Sequence, residues 1–199
     1  MDWFPARGQP RAIALLGHGT ATGVEAADLQ ALAAVLPQHG TTVVLVTQPY
    51  RVEDNPRAVG PASLDQAWTA VWAQLAAATP PAPIIAGGRS AGSQVACRTA
   101  AKLGAAAVLV LAYPLRGPGS ASELTSVTLP ALVVQGTADA FGTPAEMPPL
   151  PQNMTLVEIP GAGHMFLAPS AADSHRNLDM ITNAVATWLD TVPGIDGRR

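Results

Sequence analysis

The chain has 199 residues, of which 48% are hydrophobic and 13% are charged, and its net charge is −3. This length suits one domain with a sizeable core, which we predict to span residues 1–199 with flexible tails at 1–11 and 191–199. The weak negative charge lacks the basic footprint of a nucleic acid-binding protein. No segment reaches the roughly 18 apolar residues of a membrane-spanning helix, and residues 1–11 lack the apolar stretch of a signal peptide. We therefore predict a cytoplasmic protein with neither nucleic acid nor membrane as a partner.

Strands and helices alternate along the chain, starting with a short apolar strand at Ala12–Leu16. Such alternation is typical of a predominantly parallel sheet with helices on both faces, here with about six strands. The later elements are predicted at Ala26–Leu36 (helix), Thr42–Thr47 (strand), Ser63 as N-cap to Ala78 (helix), Pro83–Gly87 (strand), Ala91–Leu103 (helix), Ala106–Ala112, Ala131–Gln135 and Met154–Ile159 (strands), and about Ala171–Asp190 (helix).

Long connections leave the carboxyl ends of predicted strands at Pro49–Ala62, Tyr113–Leu129 and Phe141–Gln152. Ligands bind along this edge in open α/β sheets. None of these connections is long enough for a substantial helical lid, so the sequence predicts a minimal core with an open site. Cys97 is the only cysteine, and no nucleotide loop, metal cluster or cofactor motif is present, so we predict no cofactor and no metal.

The pentapeptide Gly88-Arg89-Ser90-Ala91-Gly92 has the form G-x-S-x-G and lies between a predicted strand and a predicted helix. At such a turn the serine hydroxyl is exposed, and the flanking glycines let the two backbones approach closely. The pentapeptide alone is weak evidence, because a lone Ser-Ala-Gly is usually a turn. Its position between strand and helix favours a nucleophile.

An acid and a histidine follow the serine in order, each just past a predicted strand. Asp139 comes four residues after the strand that ends at Gln135, and His164 follows the strand that ends at Ile159. Singly, the aspartate could be a turn or helix cap and the histidine could be loop surface. Together they predict Ser90 as nucleophile, His164 as general base and acid, and Asp139 as the acid that orients the imidazole.

A tetrahedral intermediate on Ser90 needs backbone N–H donors, and the sequence offers candidates in two places. Ala91 is predicted to supply one donor, because the backbone N–H of the residue after the nucleophile forms part of the oxyanion hole at such a turn. The second is predicted in the loop after the first strand, where we favour Thr20 over Gly19. His18 in the same loop is interpreted as a structural residue, since His164 already serves as the base.

Contacts to substrate are predicted from residue types near the strand ends. Guanidinium groups match carboxylates, so a basic rim could bind an anionic substrate group, although solvated or ion-paired loop arginines are the alternative; the residues are Arg51, Arg89 and Arg116. Apolar side chains could line an acyl pocket, with core packing as the alternative for Phe166; they are Phe141, Met147, Met165 and Phe166.

Motifs from across the chain resemble those of the small α/β-hydrolases, and the resemblance runs from Leu15 to the final helix. More narrowly, they resemble the branch of the testis-expressed hydrolase-like proteins and the related subunit of the NSL chromatin complex, whose bacterial members are dienelactone-hydrolase-like. The resemblance implies an α/β-hydrolase fold with Ser90, Asp139 and His164 as the triad. The motifs are Gly87-Gly88-Arg89-Ser90, Tyr113-Pro114-Leu115, Val134-Gln135-Gly136-Thr137 with Asp139 and Phe141-Gly142, and Gly161-Ala162-Gly163-His164.

The chain departs from the family patterns at three positions. True dienelactone hydrolases use a cysteine nucleophile where this chain has Ser90, Ala138 stands where arginine is common, and Gly163 stands where aspartate often precedes the histidine. The favoured hypothesis is a serine hydrolase that cleaves small esters or related acyl compounds through an acyl-enzyme. The alternatives are the same triad acting on thioesters, peptides or peroxides, and a catalytically silent protein-interaction module.

Overall fold

A seven-stranded sheet lies at the centre of the molecule, and its five central strands are mostly apolar runs buried on both faces. The structure is a computed structural model, and it describes residues 1–52, 60–79, 81–117 and 119–195. The strands lie in the order β1-β3-β2-β4-β5-β6-β7, and every pair except β1 with β3 is parallel. Their bounds are β1 Asp2–Phe4, β2 Ala12–Gly17, β3 Thr41–Val46, β4 Ile84–Arg89, β5 Ala107–Leu111, β6 Ala131–Gly136 and β7 Met154–Ile159.

Helices cover both faces of the sheet and divide the core into two clusters. Leu29 of the first helix and Val185 of the last pack on one face, whereas Trp68 and Val95 of the two central long helices pack on the other. Parallel strands need this arrangement because both of their faces are apolar. The α-helices are α1 Ala27–Val35, α2 Pro49–Val52, α3 Pro61–Ala78, α4 Ala91–Leu103, α5 Ser120–Thr125 and α6 Ala171–Leu189.

The predicted fold class is confirmed, and the sheet has one strand more than the six expected. Residues 1–11 were expected to form a flexible tail, but Asp2–Phe4 pair with β3 along the edge of the sheet. The strand is only three residues long and Trp3 is 43% exposed. Its sequence therefore has no alternation of apolar and polar residues from which a strand could be predicted. The expected tail at 191–199 is also wrong in part, because Val192 and Ile195 are buried in the core. Residues 196–199 lie outside the described residues.

One local expectation, at the start of a helix, was wrong, whereas the connections hold no substantial helical lid within the described residues, as predicted. Helix α3 begins at Pro61 after Gly60, not at an N-cap on Ser63, since proline has the φ angle that a first helical position needs. The connections after β3, β5 and β6 carry short helical segments of four, six and three residues. Residues 53–59 of the first connection lie outside the described residues. Within the described chain, no helix has both the length and the apolarity needed to cross a membrane.

Candidate active site

The turn between β4 and α4 holds Ser90 in a strained conformation. Ser90 has φ 51° and ψ −120°, outside the regions that ordinary L-residues favour. Two glycines allow the close packing around it. A Cβ atom on Gly88 or Gly92 would lie 2.4 Å or 2.3 Å from the carbonyl oxygen of Gly17, closer than any real contact. The glycines of the pentapeptide therefore let the turn press against the end of β2.

The structure brings the three predicted triad residues together from the ends of β4, β6 and β7. His164 Nε2 lies 3.0 Å from Ser90 Oγ, and His164 Nδ1 lies 2.8 Å from Asp139 Oδ2. A carboxylate can only accept, so Nδ1 carries the proton and Nε2 is free to accept from the serine hydroxyl. Asp139 is 1% exposed. This arrangement has the geometry of a nucleophile, a base and an orienting acid.

Gln135, at the end of β6, contacts Asp139 and was not singled out by the sequence analysis. Its Nε2 donates to Asp139 Oδ2 at 2.9 Å and to the carbonyl of Gly142 at 2.6 Å, and its Oε1 accepts from the amide of Tyr113 at 2.7 Å. Asp139 Oδ1 accepts from the amide of Phe141 at 2.8 Å. Gln135 is completely buried. A polar side chain in an otherwise apolar strand was the one signal that could have pointed to it.

The loop that carries His164 is fixed by side chains from distant parts of the chain. Asn177 on α6 donates to the carbonyl of Phe166 at 3.0 Å, and Phe166 has a φ of 56°. Phe166 is fully buried in the core. It therefore has the core-packing role that was the alternative to lining an acyl pocket. Thr137 accepts a hydrogen bond from the amide of Gly161 at 2.8 Å.

His18 anchors the loop after β2 from within the core. Its Nε2 accepts from the amide of Gln48 at 2.9 Å, so Nδ1 carries the proton and donates to the carbonyl of Gly19 at 2.8 Å. The hydroxyl of Tyr50 donates to the same carbonyl at 2.8 Å. Burial lowers the pKa of His18 below its ordinary value of 6.5, which favours the neutral ring. Both ring nitrogens are occupied by structural contacts, so His18 is not placed to act as a base.

The residues predicted as oxyanion donors lie beside Ser90. Thr20 and Ala91 both line the cavity that contains Ser90 and His164. Among the described residues, neither of their amides donates to an acceptor. Gly19, the competing choice, packs directly on the nucleophile, since a Cβ atom there would lie 2.9 Å from Ser90 Cβ. The loop after β2 and the first residue of α4 therefore each place an N–H group without an acceptor, among the described residues, beside the cavity that contains the serine.

The candidate site is an open cavity of about 310 Å³ at the carboxyl ends of the strands. A larger cavity of about 600 Å³ lies against α3 and α4, and no triad residue lines it. No cluster of metal-ligating side chains occurs within the described ranges. The residues that line the candidate site are Thr20, Ala21, Arg89, Ser90, Ala91, Gln94, Pro114, Arg116, Gly117, Ser120, Phe141 and His164.

The predicted substrate contacts divide into those that line this cavity and those that do not. Arg116 lines it with an exposed guanidinium, which pairs with Glu146 at 3.1 Å. The ring of Phe141 lies 4.5 Å from the imidazole of His164. Arg51 and Met165 do not themselves line the cavity among the described residues. Arg51 Nη2 donates to the carbonyl oxygen of Ala21, a residue of that lining, at 3.5 Å.

Arg89 does not belong to the predicted exposed rim. It is 1% exposed, and its Nε donates to Asp28 Oδ2 on α1 at 3.0 Å. The strand β4 turns this side chain toward α1 and away from solvent, because it extends two residues beyond the predicted end at Gly87. The ion pair was not predicted, since 61 residues separate its two members.

Comparisons with known proteins agree with this architecture. The family described as "Alpha/beta hydrolase domain" matches residues 10–192. No curated protein matches the chain. XC6422 from Xanthomonas campestris, described as a serine hydrolase without a lid, has 23% identity and a TM-score of 0.75 over 96% of this chain and 88% of its own.

Two further solved structures extend the comparison. Dienelactone hydrolase from Anabaena variabilis has 22% identity and a TM-score of 0.73, covering 96% of this chain and 90% of its own. Est1E from Butyrivibrio proteoclasticus, solved with ferulic acid, has 15% identity and a TM-score of 0.73, covering 96% and 94%. These likenesses show the fold, and the family match spans nearly the whole chain. The chain therefore belongs to the alpha/beta hydrolase family.

Proposed function

We propose that the protein is a serine hydrolase that cleaves small esters through an acyl-enzyme formed on Ser90. The observation that carries the proposal is the continuous hydrogen-bonded line from Ser90 Oγ through His164 to Asp139, with distances of 3.0 Å and 2.8 Å. A serine hydroxyl is a weak nucleophile until a base removes its proton. The line supplies that base in the required tautomer.

In the first half-reaction, Ser90 Oγ attacks the carbonyl carbon of the ester while His164 Nε2 takes the hydroxyl proton. The carbonyl oxygen becomes an oxyanion, which accepts from the amides of Ala91 and Thr20, with Gly19 as the alternative to Thr20. The carbon–oxygen bond to the alcohol then breaks, and His164 gives its proton to the leaving alkoxide. Asp139 remains a carboxylate throughout and stabilises the imidazolium.

In the second half-reaction, water replaces the alcohol. His164 Nε2 takes a proton from the water as its oxygen attacks the acyl carbon, and the same donors bind the second oxyanion. The bond to Ser90 Oγ breaks, and His164 returns the proton to that oxygen. The products are a carboxylic acid and the regenerated serine.

The shape of the site supports a small substrate. A cavity of about 310 Å³ with free access from solvent suits short acyl groups better than long lipid chains. Est1E, of similar fold, was solved with ferulic acid, a small carboxylic acid. We propose Phe141 as an apolar contact and Arg116 as the main contact for anionic groups, with Arg51 and Met165 outside the cavity lining itself.

The narrower placement of the chain is also a proposal. The residue motifs favour the branch of testis-expressed hydrolase-like and NSL-subunit-related proteins, which the family match leaves open. We propose catalysis over a silent interaction module, because a pure scaffold has no need for a serine, a histidine and an aspartate in hydrogen-bonded order. A cytoplasmic location fits this proposal.

The test is labelling of the purified protein by a fluorophosphonate probe, together with turnover of a panel of short-chain aryl esters. We expect labelling and turnover in the wild type, and a loss of kcat of about 10⁴-fold or more in Ser90→Ala and in His164→Ala. Ser122→Ala, at an exposed position on α5, is the matched serine control. A folded wild type that neither labels nor turns over any ester would overturn the proposal.

A further inference from the structure

Arg89 and Asp28 form a buried ion pair directly behind the candidate catalytic residues. Both side chains are 1% exposed, and Arg89 Nε lies 3.0 Å from Asp28 Oδ2. Burying two charges is costly, and a buried ion pair is often no more stabilising than a well-packed apolar pair. Stability alone therefore does not explain why the chain keeps this pair, so its other contacts matter.

The guanidinium of Arg89 makes a second contact, to the backbone of His164. Arg89 Nη2 donates to the carbonyl oxygen of His164 at 2.5 Å. Arg89 also directly precedes Ser90 in the chain. One rigid, planar cation thus links the residue before the nucleophile to the backbone of the proposed base.

The same side chain borders the loop that carries the oxyanion donors. A Cβ atom on Gly19 would lie 3.0 Å from Arg89 Nη1, so the two residues are in contact range. Asp28 fixes the other end of the guanidinium to α1, and its second oxygen has no partner within the described residues. Burial raises the pKa of the Asp28 carboxyl, and the charge of Arg89 opposes that rise. Asp28 therefore holds the orientation of Arg89.

We propose that Arg89, oriented by Asp28, is a positioning residue that sets the distance between His164 Nε2 and Ser90 Oγ. The guanidinium holds the His164 carbonyl at a fixed place relative to the nucleophile turn, which fixes the backbone from which the imidazole projects. The inference rests on the proposed function, because it assigns Arg89 a role in the alignment of that triad. Lysine cannot replace it, since a single ammonium lacks the planar fork that reaches Asp28 and the carbonyl together.

An alternative role for Arg89 is direct binding of an anionic substrate group, because it lies in the lining of the cavity. The two roles predict different kinetics. Loss of a positioning residue lowers kcat with little change in KM, whereas loss of a substrate contact raises KM. A misplacement of about 1 Å in the reacting groups lowers the rate by about 100-fold.

The experiment replaces the pair as a unit, in Asp28→Leu/Arg89→Met. Apolar replacement of both members avoids an unpaired buried charge, so this variant is expected to fold. We expect kcat for a short aryl ester to fall by about 10- to 100-fold with KM within about twofold of the wild type. The His164 Nδ1–H resonance in proton NMR, assigned by its loss in His164→Ala, should shift or broaden because the contact with Asp139 is disturbed.

A matched control comes from a second ion-paired arginine that lies away from the triad. Arg98 on α4 pairs with Asp65 at 2.7 Å and Glu123 at 3.1 Å, and it contacts no triad residue. Arg98→Met should lower stability while kcat and the His164 resonance stay at wild-type values. Arg89→Lys provides a second, single-site variant if the double variant does not fold, and its kcat should fall by about 10-fold or more.

The outcomes separate the inference from the proposed function. If the wild type turns over esters through Ser90 and the pair variant, or Arg89→Lys in its place, keeps wild-type kcat and the wild-type resonance, the positioning role is wrong. A rise in KM at unchanged kcat would also overturn it, in favour of a substrate contact. If the wild type itself neither labels nor turns over, the proposed function fails, and the NMR resonance still reports whether Arg89 aligns His164.

Discussion

The nucleophile turn and the histidine loop meet at one hydrogen bond, and they differ in how much side chains contribute to holding them in place. Around Ser90 the backbone itself is packed, because the two glycines of the turn lie against the end of β2 with no room for a Cβ atom. Around His164 the packing is mixed: Gly136 at the end of β6 lies against the loop, where a Cβ atom would be 2.2 Å from the carbonyl oxygen of Ala162, but a Cβ atom on Gly163 would meet no atom closer than 4.0 Å. Side chains from distant parts of the chain add to the positioning there, among them Arg89 and Asn177.

The two halves of the site should therefore tolerate substitutions differently. A tightly packed backbone is destabilised when a substitution adds atoms. A loop held by side-chain hydrogen bonds is displaced when a substitution removes those polar groups. The candidate acid, Asp139, belongs to the second kind, because Gln135 and the amide of Phe141 satisfy its oxygens.

The largest effect is expected for Gly92→Ala in the nucleophile turn. A new Cβ atom would lie 2.3 Å from a backbone oxygen of β2, which cannot move without disturbing the sheet. We expect the free energy of unfolding to fall by about 3 kcal/mol, measured by chemical denaturation, together with loss of esterase activity. Gly163→Ala in the histidine loop is the matched control, with a change within about 0.5 kcal/mol. Equal losses of stability in the two variants would contradict the comparison.

A smaller effect is expected for substitutions of Gln135. Gln135→Met removes the donor to Asp139 and leaves the buried amide of Tyr113 without a partner, so the free energy of unfolding should fall by roughly 1–3 kcal/mol.

Gln135→Glu preserves the shape of the side chain but places a second carboxyl beside Asp139. Like charges at this distance keep one proton on the pair, and that proton is lost as pH rises. The variant should show a fall in kcat/KM toward high pH that the wild type lacks, measured over a pH series with the ester substrate. Gln66→Glu, at an exposed position on α3, should leave the pH profile unchanged. A wild-type profile in Gln135→Glu would show that Gln135 has no influence on Asp139.

The smallest effect concerns the loop after β2, which uses both means of positioning. Burial lowers the pKa of His18, so between the lowered value and the ordinary value of 6.5 the unfolded chain binds a proton that the folded chain does not. Stability from this group is therefore complete above about pH 6.5 and falls as pH falls below it.

Denaturation midpoints at about pH 7.5 and about pH 5.5 measure this dependence. His18→Gln should reduce the loss of stability at the lower pH, and His39→Gln at an exposed position is the control. An unchanged pH dependence in His18→Gln would contradict the prediction.

The sequence could predict the features that depend on local pattern. Helix α4 at Ala91–Leu103 and strand β7 at Met154–Ile159 have the predicted bounds, because apolar spacing and flanking glycines mark their ends. The three proposed triad residues were also named in advance, since each follows a recognisable strand and parallel strands bring their carboxyl ends to one edge.

Features that depend on contacts between distant residues could not be predicted in this way. The pairing of Arg89 with Asp28 joins positions 61 residues apart, and no local pattern in a single sequence encodes that contact. Strand β1 was not predicted because its three residues are held at the sheet edge by backbone hydrogen bonds to β3. Such pairing needs no alternation of apolar and polar side chains, so the sequence carries no sign of it. Gln135 belongs to one of the family motifs, but its hydrogen bond to Asp139 could not be predicted from the motif alone.

The left-handed backbone of Ser90 carries a consequence for how this protein can change over time. A non-glycine residue with φ 51° and ψ −120° costs of the order of 1–3 kcal/mol relative to a relaxed backbone. Glycine would adopt the same angles without that cost. Selection for heat resistance alone would therefore favour glycine at position 90, and only selection for turnover would retain the serine. Under the proposed function, Ser90 is thus a residue that catalysis requires and that folding stability alone would not keep.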